Sequence, residues 1–100
     1  MIERIKRNEE RLDDILSSIN LLGQALEKFK SIKNDYRNLN KYYGSKNWFS
    51  DKKAFEEEKI PRIKAGVLSE DAVWNMNEDI DDLLVEMEEV LSYFKKNDKE

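Results

Sequence analysis

The densest set of potential ligands in the chain is the acidic run Glu78-Asp79-Ile80-Asp81-Asp82. On a helix, Glu78 and Asp82 share a face, with Asp71 and Asn75 before them and Glu89 after. A column of hard oxygen donors of this kind suits Ca²⁺ or Mg²⁺. The calcium-loop pattern with its turn glycine is absent. The run therefore reads better as a solvated face answering basic residues elsewhere. A second cluster is aromatic. Tyr42, Tyr43, Trp48, Phe49 and Phe55 fall close together, and Trp74 follows at the start of a later helix. Such a cluster lines a ligand pocket, anchors a partner, or forms a small aromatic core. The last is the simplest reading, with Trp48 and Trp74 expected where helices meet. Lys46, Lys52 and Lys53 interleave with these rings in a pattern that suits stacking on single-stranded nucleic acid.

Composition removes most other chemistry. The 100 residues contain no His and no Cys, which excludes Ser-His-Asp catalysis, thiolate zinc sites and disulfides. No phosphate-cradling glycine loop or nucleophile elbow is present. The balance of 18 basic against 22 acidic residues gives a net charge of −4, which disfavours nucleic acid as a partner. No aliphatic stretch approaches the roughly 20 residues that a membrane span requires, and the first residues lack a secretory apolar segment. The expectation is a cytoplasmic protein with no membrane partner. No catalytic, cofactor-binding or metal-binding residue is assigned.

Charged residues make up 40% of the chain, and Gly and Pro number 3 and 1. This is the composition of a helical, coiled-coil-like protein. The expected fold is all-α: an antiparallel hairpin of long helices with a short middle helix, forming a single helical domain over 1–100. Apolar residues recur at Leu12, Ile15, Ile19, Leu22, Leu26, Phe29, Ile32, Tyr36, Leu39 and Tyr43. This heptad stripe predicts a helix over 2–43. It has one short step, Phe29 to Ile32, of the kind that overwinds a coiled coil. Gly23 lies off the stripe and is either tolerated or marks a close backbone approach, so a bend at Gly23 or at the short step competes with a straight helix. Gly44 suits the left-handed residue after a helix, and Ser45 suits the cap of a short helix over 46–58. Ile60-Pro61 and Gly66 place an irregular connection over 59–69. Ser69 is the expected cap of the last helix, 70–96, with Leu68 and Val73 in staple positions. The stripe of that helix is Val73, Met76, Ile80, Leu83, Met87, Val90 and Phe94, and a polar tail follows over 97–100.

Charge sets the expected pairing. Residues 28–43 carry five basic groups against Asp35 alone, whereas 70–90 carry nine acidic groups and no basic one. An antiparallel hairpin brings these together, and it brings Lys95, Lys96 and Lys99 towards the acidic N-terminal half. The first helix is longer than the last, which leaves uncovered stripe. The expected partner is therefore a second copy in a homodimer, or another helical protein.

The blocks Tyr42-Tyr43-Gly44-Ser45 and Gly66-Val67-Leu68-Ser69-Glu70-Asp71-Ala72-Val73-Trp74, with Trp48, Asp51 and Pro61 between them, carry a family resemblance. The chain resembles a family of small, uncharacterised bacterial helical proteins, a domain of unknown function. The resemblance implies an all-helical cytoplasmic protein and implies no activity. Physically the two blocks are a helix stop and a helix start, as a fixed hairpin end requires. Tyr42, Tyr43, Trp48, Asp51, Glu70, Asp71 and Trp74 are the candidate interaction surface. The functional expectation is a non-enzymatic interaction or structural module acting through dimerisation or helix packing. The alternatives are a small-molecule-binding protein or enzyme with its site at the aromatic hairpin end, and a nucleic-acid-associated protein.

Overall fold

A computed structural model describes residues 1–97. Residues 98–100, which hold Lys99 and most of the expected tail, lie outside the described residues. The protein is all-α: helices α1 (Ile2–Ser31), α2 (Lys33–Tyr42), α3 (Lys46–Glu56) and α4 (Ala72–Asn97), with a 3₁₀ turn over Gly66–Leu68. The chain divides into two compact units, Met1–Leu39 and Asn40–Glu100.

In the first unit, the helix expected over 2–43 is interrupted at Ile32. That residue has φ −87° and ψ 5°. Its amide reaches only three residues back, to the Phe29 carbonyl at 3.4 Å, and the Tyr36 amide restarts the regular ladder on the Ile32 carbonyl at 2.8 Å. The interruption falls on the short step of the stripe. A three-residue step turns the apolar seam too far for an even helix, and one tightened 3₁₀-type turn absorbs the excess. Gly23 interrupts nothing, and a Cβ added there would meet no atom within 4 Å. No residue of α1 is buried. Its stripe residues Leu12, Ile15, Ile19, Leu22 and Leu26 are 39–61% exposed.

The second unit holds the packed core. Gly44 sits at φ 77°, where a side chain would be strained, and the Ser45 amide donates to the Tyr42 carbonyl at 3.0 Å. The Ser45 hydroxyl accepts the Trp48 amide at 3.2 Å and caps α3. This helix ends two residues before the expected 58, because Glu58 adopts φ 57°. The Glu58 amide donates to Phe55 at 3.2 Å and the Lys59 amide to Ala54 at 2.9 Å. These are the paired bonds of a left-handed helix ending, with glutamate where glycine is usual.

The connection over 59–69 is irregular apart from the 3₁₀ turn. Ser69 is extended, and its hydroxyl accepts the Ala72 amide at 3.1 Å. Glu70 and Asp71 form a turn, so α4 begins at Ala72 rather than at 70. Trp48, Leu68 and Val73 are the buried apolar residues of this unit. Both staple positions are thus inside. Along α4, Met76 and Ile80 are half-buried, whereas Leu83, Met87, Val90 and Phe94 are 37–65% exposed.

Candidate functional site: the aromatic knot around Trp48

Trp48 sits in the first turn of α3, placed there by the Ser45 cap and the left-handed Gly44. It is 4% exposed. Burying an indole strands its N–H unless an acceptor is found. The Val67 carbonyl, in the 3₁₀ turn, accepts it at 2.9 Å. This one bond ties α3 to the segment that launches α4. Tyr43 meets the Trp48 ring edge-on, with ring centroids 5.2 Å apart. Its hydroxyl donates to the Glu70 carbonyl at 2.6 Å. Lys52 lies one turn along α3 from Trp48, its ammonium 5.7 Å from the indole centroid. The same ammonium pairs with Glu56 at 3.1 Å and stands 3.9 Å from Glu70. A cation above an indole face is favourable because the ring face is electron-rich.

Tyr42, at the end of α2, donates its hydroxyl to Asp51 Oδ2 at 2.6 Å. The hydrogen bond to the Asp51 carboxylate is the main cause, with burial and the carboxylate's charge adding to it, that pushes the Tyr42 phenol up to about 12 from 10.0. A phenol held this way keeps its proton at neutral pH. It serves as a clasp between α2 and α3, not as a base or nucleophile. A further clasp joins α4 to the start of this unit, where Asn77 Nδ2 donates to Asn40 Oδ1 at 2.9 Å. The buried Asn77 Oδ1 has no partner of its own.

Of the seven candidate residues, Tyr43, Trp48 and Glu70 therefore fall in one network, and Tyr42 and Asp51 form a pair of their own. Asp71 accepts the Asn75 amide through its carbonyl, at 2.8 Å, and is exposed. Trp74 requires a correction. It was expected beside Trp48 in the aromatic core, and it is 59% exposed. Val73 takes the inward position, and the next residue along a helix points about 100° away. Phe49 stands out in the same way beside Trp48, at 61% exposure, with the two rings edge to face at 4.9 Å.

The sequence reading missed the roles of Lys52, Val67, Asn40 and Asn77. Asn77 carried a usable signal. It lies four residues from Val73 and three from Ile80, on the inward face of α4, where a polar residue needs a partner.

A cleft of about 190 Å³ opens beside the clasp, lined by residues that include Tyr42, Asp51, Ile60, Ile63, Lys64 and Leu68. Among the described residues, no group of three or more acidic side chains is placed to hold a metal ion, the acidic run of α4 included. No helix among them is long and apolar enough to cross a membrane.

Fold and site together define a small all-helical protein with one dense aromatic knot and long apolar helix faces left open. Over residues 5–90 the chain matches the model of a family described as a domain of unknown function, DUF4298, and it belongs to that family. No curated protein matches the chain, and no solved structure does.

Proposed function

We propose that the protein is a non-enzymatic interaction module that works by packing helix against helix. The observation that carries this reading is the exposure of the heptad stripe of α1, from Leu12 to Leu26, repeated on the outer part of α4 from Leu83 to Phe94. Single exposed leucines are ordinary on protein surfaces. A continuous heptad seam is different, since helix faces of that period are built to receive a second helix. The aromatic knot supports the same reading. Its polar groups are directed at each other and at backbone, and the Tyr42 phenol holds its proton. The exposed rings of Phe49 and Trp74, next in sequence to buried Trp48 and Val73, offer a second surface for a partner.

Sedimentation of the wild type and of Leu22→Glu, together with capture of binding proteins from native extract, tests the reading. Association of either kind is expected in the wild type and is expected to fall at least tenfold in the variant. A wild type that neither self-associates nor captures anything the variant does not would overturn it. The small-molecule reading rests on two clefts at the aromatic end, one of about 190 Å³ beside Tyr42 and one of about 420 Å³ lined by Phe55, Glu56, Glu58, Ile60 and Arg62; only the second reaches the usual 300–1,000 Å³ of ligand pockets.

A further inference from the structure

The stripe of the first unit holds a seam that is mirror-symmetric in sequence. Its unbroken heptad part is Leu12, Ile15, Ile19, Leu22, Leu26 and Phe29. Reading outward from the midpoint between Ile19 and Leu22, every step on one side has an equal step on the other. Ile15 mirrors Leu26 and Leu12 mirrors Phe29. The short step from Phe29 to Ile32 closes this seam at one end, and at the other the next apolar residue before Leu12 is Ile5, seven positions away. The seam lies wholly within α1.

A two-fold axis pairs a surface with itself, so that if residue i meets residue j of the partner, j also meets i. Two helices running in opposite directions about such an axis satisfy this only when the stripe reads the same from both ends. Antiparallel coiled coils also bring the two alternating seam positions opposite each other in every layer. The pairs Ile19 with Leu22, Ile15 with Leu26 and Leu12 with Phe29 do so.

Charge selects the same arrangement. Residues 15–26, which span the midpoint and mirror onto themselves, contain no charged side chain. Residues 8–14 hold Glu9, Glu10, Asp13 and Asp14 against Arg11, net −3. Their mirror, residues 27–33, holds Lys28, Lys30 and Lys33 against Glu27, net +2. An antiparallel pair sets these blocks against each other twice. A parallel pair sets like against like. Exposed pairs are individually weak, but here they choose between arrangements that bury similar seams.

Resting on the helix-packing reading above, we infer that the occupant of the α1 stripe is the α1 of a second copy. The pairing is antiparallel about a two-fold axis between Ile19 and Leu22. The seam spans about 26 Å at 1.5 Å per residue.

The absence of cysteine from the chain makes a direct test clean. Ile15→Cys and Leu26→Cys are prepared separately, then mixed, and treated with a short bifunctional thiol reagent. Both positions are exposed in the protomer, so neither change disturbs its core. In the inferred dimer the two substituted positions face each other only across the mixture. In either variant alone, the two copies of the substituted position stand about 16 Å apart along the axis, from the same rise per residue. At least tenfold more cross-linked dimer is expected from the mixture than from either variant alone. The pair Leu12→Cys with Phe29→Cys is expected to repeat the result one layer out. Equal cross-linking by Ile15→Cys alone would show a parallel dimer, and would overturn this inference while leaving the packing reading in place. A wild type that sediments as a monomer at every concentration would also overturn it, and the packing reading would then rest on capture of another helical protein.

Discussion

The aromatic knot of the second unit and the stripe of α1 are both built from apolar residues at helical spacing, yet they end in opposite states. In the knot, Trp48, Leu68 and Val73 are buried, and the indole N–H of Trp48 donates to the Val67 carbonyl, the Tyr43 hydroxyl to the Glu70 carbonyl and the Tyr42 hydroxyl to Asp51. In α1, thirty residues of helix bury none of their side chains. An isolated helix is marginal in water even with good helix formers, because most helical stability comes from packing an amphipathic face. The knot completes itself from its own chain. The stripe carries the pattern of a packed face and stands exposed.

Substitutions separate the two regions. Trp48→Ala is expected to cost about 3–5 kcal/mol, as large aromatic truncations in packed sites do, measured by chemical denaturation of the whole chain. Trp74→Ala, at an exposed ring, is expected to stay within about 0.5 kcal/mol. Equal effects from the two tryptophans would erase the distinction between core and surface. Val73→Ala is expected to cost about 2 kcal/mol, in line with methyl deletion from a buried site.

Smaller effects come from the backbone. Gly44→Ala forces a side chain into the left-handed region at φ 77° and is expected to destabilise by about 1 kcal/mol. Glu58→Gly relieves the same strain at φ 57° and is expected to stabilise by about 1 kcal/mol. Thermal unfolding of the pair, with opposite signs, checks both.

The Tyr42–Asp51 clasp has a pH signature. The phenol's value is raised on folding, from 10.0 to about 12. The neutral form is therefore the one the fold favours. Its contribution to stability is complete below pH 10 and is lost as the pH rises from 10 to 12. Alkaline ultraviolet titration is expected to show a late step from the Tyr42 phenol. In Tyr42→Phe that late step is expected to vanish, and the variant's stability deficit is expected to shrink above pH 10. A late step that survives the substitution would remove the clasp from the account.

Much of the fold was legible because local signals carry local physics. Gly44, Ser45 and Ser69 announced a helix ending and two caps, and all three act as such. One helix is the expectation over 2–43, with a bend at Gly23 or at the short step competing; the interruption falls at the short step, at Ile32, and Gly23 leaves the helix unbroken. The ending at Glu58 was not legible, since a glutamate in the left-handed region follows from bonds to Ala54 and Phe55 rather than from its own preference.

At the site, proximity in sequence identified the right residues but not their directions. Aromatic character alone groups Trp74 with Trp48. The stripe through Val73, Met76 and Ile80 already placed Trp74 off the inward face. The clasps of Tyr42 with Asp51 and Asn40 with Asn77 depend on side chains meeting across different elements, which spacing within a single helix does not encode.

The proposal that the α1 stripe is completed from outside, while the knot is not, is tested most directly by amide hydrogen exchange at several protein concentrations. Protection of α1 between Leu12 and Phe29 is expected to rise with concentration, while protection of α3 around Trp48 stays constant. Protection of α1 that is high and independent of concentration would contradict the account.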